Sequence, residues 1–365
     1  MKNSPIIEPT ADSRQPTADS RQPTADSRQH YFDFLRVIAA FSIIVSHTHD
    51  ARWPIKGYDI TSFDWNVFVI YNGLSSWPVP VFVMISGALF LSRDIPLRRI
   101  FSRNIFRMCT AFLFWTCIYA AKELVKTHSI SHALSLFVHP YLHLWFVPFI
   151  AGMYMLVPVM KKITESESLT KYVLALWFIF SVLIPSAVKL MDVFAGDSAK
   201  FVKSALTIVK ISSIGAIEGC FLLGYFLNTA DISPKTERVI YSAGIAAFVI
   251  SIVMNITASR MKGYPVTVFT ANTLVFVLFE SIAVFVFFKR HFNQENKTIR
   301  ILSDYSFGIY LAHFLAGSFA KLCGLTSTSF NTVFSVPVMS AVIFGLSFIS
   351  TWILKRIPVL KKYVV

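Results

Sequence analysis

From residue 31 onward the chain is a succession of about ten apolar runs, each long enough to cross a hydrocarbon core. They centre on residues 31–49, 66–91, 104–121, 141–160, 171–190, 206–228, 238–257, 266–288, 300–320 and 333–354. Backbone placed in hydrocarbon must satisfy its own hydrogen bonds, so such runs are expected to be helices. Charged residues make up 15% of the chain, against about 25% in soluble domains. The expected fold class is therefore all-α: a polytopic membrane protein with about ten transmembrane helices. The second run carries Pro78 and Pro80 and is expected to be broken or kinked.

The formal charge of +14 raises nucleic acid as a partner, but the basic residues stand in short clusters between apolar runs. That pattern fits loops facing a cytoplasm and anionic lipid, and excludes nucleic acid as the expected partner. With the N-terminus inside, the inner segments hold roughly 21 Lys and Arg against about 10 outside. Both termini are then expected to be cytoplasmic. Cys109, Cys117, Cys220 and Cys323 all fall inside apolar runs and read as reduced core residues. The first thirty residues lack the apolar segment of a secretory signal.

Residues 1–29 form a polar tail expected to be disordered, ahead of a membrane domain over 30–356 and a short tail over 357–365. The first tail repeats Pro-Thr-Ala-Asp-Ser-Arg-Gln three times, from Pro9 to Gln29. Thr-Ala-Asp-Ser-Arg-Gln-Pro is encoded by ACA GCC GAC AGC CGA CAG CCG, which is the heptanucleotide ACAGCCG three times over. Chance agreement of a heptapeptide with such a tract is on the order of one in 10^5. A DNA tract prone to slippage is the simpler origin than duplication of a peptide spacer. Gain or loss of one unit shifts the frame, so expression would switch on and off.

Several polar residues interrupt the apolar runs, and ionisable groups there are costly and usually functional. Arg36 and His47 bracket a greasy stretch of the first run; eleven residues apart, they share nearly one helical face, about 16 Å along the axis. Asp33 precedes Arg36 by less than one turn, where it can hold the guanidinium or simply mark the helix start. Arg99, Arg103 and Arg107 recur every four residues. They read either as an anchor to the cytoplasmic leaflet or as a clamp for phosphates, which guanidinium forks bind bidentately. His143 and Trp145 open the fourth run, where an interfacial aromatic belt is the plain alternative. Glu218 lies in the sixth run, as a substrate-binding group or a protonated carboxyl bonded to a neighbouring helix. Glu280 is expected at the interface. Ser306, Tyr310 and His313 share a face of the ninth run. No metal-ligand spacing and no nucleophile elbow is present, so metal and serine-hydrolase mechanisms are disfavoured.

Taken together, Asp33-Phe-Leu-Arg36 with His47, Val79-Pro-Val-Phe-Val-Met-Ile-Ser86-Gly87, Arg103-x-x-x-Arg107, His143-Leu-Trp145-Phe146 and Ser306-x-Gly-Ile-Tyr310-x-x-His313 resemble the acyltransferase-3 family of integral-membrane O-acyltransferases. Among its members the chain is most similar to bacterial surface-polysaccharide O-acetyltransferases, such as that acting on enterobacterial common antigen. One departure is Met108-Cys-Thr where a proline often follows the arginine pair, which leaves the bend of the third span open. No hydrolase-like domain is expected at the C-terminus, so the membrane domain works alone or with a separate protein.

The resemblance implies transfer of an acetyl group from cytoplasmic acetyl-CoA, the donor substrate, to a hydroxyl of a lipid-linked or surface glycan. It implies a catalytic set of His47, Arg36, Tyr310 and His313. Arg99, Arg103 and Arg107 would hold the CoA phosphates, and His143, Trp145 and Glu218 the acceptor. His47 would either deprotonate the hydroxyl or carry the acyl group covalently. Tyr310 and His313 would orient the acceptor or stabilise the thioester oxyanion. A transporter of a lipid-linked sugar or anion is the alternative, with no inverted repeat visible to support it. A sensor or structural protein is the third, in which the histidines merely join helices. A switchable gene suits an exposed antigen, which favours O-antigen, lipooligosaccharide or capsule as acceptor.

Overall fold

The structure, a computed structural model, describes residues 28–49, 59–196, 200, 204 and 215–365. Of the repeat tail only Arg28 and Gln29 fall within these, and part of the expected sixth span lies outside them. The described residues are helical, without strands. The main helices are α1 (Tyr31–Thr48), α2 (Phe63–Leu74), α3 (Pro78–Leu91), α4 (Leu97–Thr127), α5 (Phe146–Thr164), α6 (Glu167–Phe194), α7 (Gly219–Thr229), α8 (Pro234–Lys262), α9 (Val275–His291), α10 (Lys297–Leu322) and α11 (Thr332–Leu354). Among the described residues, eight stretches, with α2 and α3 counted as one, are long and apolar enough to cross a membrane. The more polar α10 adds a 26-residue helix. The protein is an all-α polytopic membrane protein.

The expected break in the second run falls at Ser75–Trp77, and Pro78 opens α3 at its first position, where a missing N–H costs nothing. α4 contains a π-helical turn over Ile100–Ile105, beside the arginines, and continues as regular α-helix through Met108-Cys-Thr, where the sequence pattern lacks its proline.

Burial separates centre from periphery. α1 is 72% buried and the α2–α3 stretch 78%, whereas only 22% of α8 is covered. The outward residues of α8 and α11, such as Ile245, Val253 and Ile349, are exposed and apolar, as a lipid-facing surface requires. All four cysteines are free, and Cys220 is buried; Cys109 and Cys117 on α4 and Cys323 just past α10 are exposed, not core residues as expected. A thiol is apolar enough to face lipid as readily as protein.

α1, α4 and α10 run parallel. At one end Asp33 meets Ser303 and Arg107 stacks over Phe307; at the other His47 stacks on His313. α3 and α5 run parallel to each other and opposite to α1, with Phe82 near Phe146 and Phe90 near Tyr154 at one flank and both helices leading back towards the Asp33 end. Arg28 and Val365 lie at the same end, beside Asp33 and Arg107 respectively.

The α3–α7 crossing depends on two glycines. A Cβ on Gly87 would overlap the Phe221 carbonyl, and one on Gly224 the Met84 carbonyl. Small residues permit such close backbone approach. Gly87→Ala is therefore expected to destabilise the bundle by about 1–3 kcal/mol. Thermal unfolding of the detergent-solubilised protein checks this; an unchanged midpoint would mean that the crossing tolerates a methyl group.

Candidate active site

α1 enters the bundle at Asp33, which is buried and heavily bonded. Arg28 donates to both carboxylate oxygens, at 2.9 and 2.8 Å, and Ser303 Oγ donates at 2.7 Å. Arg36 Nη1 stands farther off, at 3.6 Å. Asp33 thus ties the tail, α1 and α10 together, and Arg28 of the final repeat is its main partner. The Arg36 side chain turns instead into a cavity of about 270 Å3, with Ser86, Arg107, Tyr154, Ser306 and Tyr310 on its walls. Met108, Ile150 and Phe307 make the rest of that cavity largely apolar.

Arg107 is shared between this cavity and a wider one of about 760 Å3, which Arg93, Arg99 and Arg103 also line. Arg107 Nη2 donates to the Val365 backbone oxygen at 2.8 Å, and its buried Nε has no hydrogen-bond partner. The four-residue spacing of Arg99, Arg103 and Arg107 does bring all three to one vestibule. Asp94, on the same rim, is held by Lys161 at 2.5 Å, which lowers its carboxyl pKa and neutralises its charge. A vestibule of this composition attracts anions.

At its far end the apolar cavity shares Phe82, Phe146 and Tyr310 with a smaller space of about 60 Å3. His47, Ser75, Ser76, His143, Trp145 and Asn272 form its polar wall. A volume of this size admits an acetyl-sized group or a few waters. His47 also lines a fourth cavity, of about 240 Å3, together with His313, Tyr141, Lys122, Lys126 and Lys321. Among the residues lining these two spaces, His47 is the one common to both.

The three histidines converge from three elements. His47 stacks on His313 with centroids 5.4 Å apart and planes at 28°, and His143 meets His313 edge-on at 4.7 Å. Phe314 packs within 4.8 Å of all three rings. The bonded nitrogens set the tautomers. His313 Nδ1 donates to the Tyr310 carbonyl at 2.5 Å, so its Nε2 carries a lone pair, and no group bonds to it. His143 Nε2 donates to the Leu311 carbonyl at 3.1 Å, which leaves its Nδ1 as the acceptor. Among the described residues no three His, Cys, Asp or Glu side chains converge as metal ligands do.

Two residues sit otherwise than their spacing suggested. The Tyr310 hydroxyl donates to the His143 carbonyl, so its proton fixes the segment before α5 and does not point into a cavity. Glu218 is not brought to the histidines. It lies at the start of α7, folded over Gly215, on the flank where Trp177 of α6 donates to the Gly215 carbonyl. It lines none of the four cavities.

Glu280 is not interfacial either. It is 5% exposed, and Ser76 Oγ donates to its Oε2 at 2.9 Å while Oε1 has no partner. The helix break at Ser75–Trp77 thus carries a buried carboxyl immediately behind the small histidine cavity. The available signal was the general cost of a mid-membrane carboxylate. Ser76 stands 204 residues away in the chain, so the pair itself had no local trace.

A family model described as "Acyltransferase domain" matches residues 29–356, nearly the whole membrane region. No curated protein and no solved structure matches the chain. The match spans the arginine vestibule, the apolar cavity and the histidine cluster as one unit, and the chain belongs to the acyltransferase-3 family of membrane acyltransferases.

Proposed function

We propose that the protein transfers an acetyl group from cytoplasmic acetyl-CoA to a sugar hydroxyl of a cell-surface polysaccharide. The observation that carries this reading is the position of His47 as the shared wall of two cavities. One is reached from the arginine vestibule through apolar space. The other opens among lysines at the opposite end of the bundle. The excess of Lys and Arg in the segments on the vestibule side supports a cytoplasmic orientation for that side. CoA is charged and cytoplasmic, and surface glycans are completed on the other face. A transferase joining them needs a path across the membrane and a base at its end.

Arg99, Arg103 and Arg107 hold the donor phosphates, with Arg93 on the same rim. The pantetheine arm lies in the apolar cavity, past Arg36, and the thioester reaches the small space beside His47. A glycan hydroxyl enters from the lysine-bearing side, past the rings of Tyr141 and Phe314, while Trp145 walls the small space that receives the thioester. His47 takes the hydroxyl proton as the oxygen attacks the thioester carbonyl. The C–O bond forms, the C–S bond breaks, and the proton passes to the departing thiolate. His313 stacks against His47 and orients it. Tyr310 positions the His143 segment through its bond to the backbone.

The heptanucleotide origin of the tail repeat supports phase-variable expression. Such switching suits an exposed antigen and would harm an essential step, which supports O-antigen, lipooligosaccharide or capsule as acceptor. The test compares surface glycan from cells with and without the protein, by mass spectrometry before and after mild base. Base-labile acetyl groups are expected only with the protein, and sibling colonies lacking them should differ in tract length. Identical glycans in both cell types would sink the reading, and an invariant tract would sink the switching.

A further inference from the structure

The lysine-bearing cavity beside His47 is charged in a way that neither membrane insertion nor helix chemistry explains. Its three cations come from the far ends of two helices, Lys122 and Lys126 from α4 and Lys321 from α10. By the charge asymmetry above, these ends lie on the side where Lys and Arg are sparse. A cation at a helix C-terminus is favoured by the dipole, which accounts for one lysine at each end. It does not account for three ammonium groups on the wall of a single cavity of about 240 Å3.

Their partners are also incomplete. Lys122 donates to the Tyr141 hydroxyl at 2.9 Å and stands 3.7 Å from Glu123. Glu123 in turn faces His132 at 3.9 Å. Among the described residues, Lys126 and Lys321 have no acidic group within ion-pair distance. Three lysines around one cavity give it a positive potential that attracts an anion. The same cavity offers the rings of Tyr141 and Phe314 to a sugar face, and the imidazoles of His47 and His313 at its base.

We infer that the acyl acceptor is anionic, with a carboxylate or phosphate on the acylated sugar or on its immediate neighbour. The lysines hold that anion, and this places the hydroxyl against His47. The inference rests on the acyl-transfer reading and narrows its substrate class. A carboxylate from an acidic sugar and a phosphate from a phosphorylated sugar present the same charge to the three lysines.

The test maps the acyl group by tandem mass spectrometry on surface glycan from cells expressing the wild type, K126E/K321E or K126R/K321R, with membrane abundance measured by blot. The acylated sugar is expected to carry a carboxylate or phosphate, or to be linked directly to a sugar that does. Carbodiimide amidation tags the first and hydrofluoric acid removes the second, which identifies the source. Acyl occupancy is expected to fall at least tenfold in K126E/K321E and to stay within twofold in K126R/K321R. Acylation of a sugar with no anion on it or beside it overturns the inference, and this arm needs no variant to fold. Wild-type occupancy in K126E/K321E also overturns it. A wild-type glycan with no acyl group at all overturns the acyl-transfer reading, and that outcome is distinct from either of the others.

Discussion

Alanine at His47 is expected to lower acyl transfer about a thousandfold or more, with the protein still present in the membrane. A positioned general base contributes roughly 10^2 to 10^4 in rate, and no other ionisable side chain lines both cavities at this point. The competing account is packing: His47 stacks at 5.4 Å on His313 and at 4.8 Å on Phe314, so its loss also removes ring contacts. Two measurements separate the accounts. Membrane abundance and thermal midpoint report packing, and His47→Gln keeps most of the side-chain volume while removing the base. If glutamine restores the folded protein but not acetylation of the surface glycan, the imidazole is chemically required. Near-normal acetylation in His47→Gln would remove His47 from the chemistry and pass the role to His313, whose Nε2 is already unprotonated and bare.

The features legible in the sequence are those that hydropathy and local spacing encode. Each span is a run of apolar residues, so its existence needs no knowledge of its neighbours. The break before Pro78 is local, as is the shared face of Arg99, Arg103 and Arg107. The remaining features depend on which helices touch. Ser303 reaches Asp33 across 270 residues, and Ser76 reaches Glu280 across 204. Neither distance leaves a periodic signal. Glu280 looked interfacial because its place was counted from the end of its run, whereas the break between α2 and α3 brings Ser76 to it. Tyr310 shares a face with His313 as its spacing required, but the segment that receives its hydroxyl belongs to another element. Arg28 was hidden for a different reason. Composition assigns it to a polar repeat, and its bond to a buried carboxylate is made only where the repeat meets α1. Lys126 and Lys321 lie far apart in the chain, and only the packing of α4 with α10 makes them one wall.

The arginine vestibule yields the second large effect, and it is cleanest at Arg99 and Arg103. Arg107 is a poor target because its guanidinium also bonds Val365, so its loss would disturb the bundle end. Arg99 and Arg103 are exposed and project into the vestibule of about 760 Å3. Charge-assisted hydrogen bonds to phosphate are worth about 1.5–3 kcal/mol each when well formed, and less at an exposed rim. R99A/R103A is therefore expected to raise KM for acetyl-CoA by about ten- to a few hundredfold, with kcat nearly unchanged. The phosphates lie far from the thioester and bind equally in ground and transition states, which confines the effect to KM. The donor itself provides the internal control. Acetyl-dephospho-CoA lacks the 3′-phosphate, so the wild type should use it less well, and R99A/R103A should discriminate less between the two donors. Retention of the full wild-type discrimination would move the phosphates away from Arg99 and Arg103. A fall in kcat without change in KM would contradict the assignment differently, because it would make these arginines part of a step after binding. Salt offers a second check, since binding at an exposed cationic rim weakens as the Debye length shrinks from about 10 Å at 0.1 M to about 3 Å at 1 M. The salt dependence of KM should be steep for the wild type and shallow for R99A/R103A, because the two cations responsible are gone.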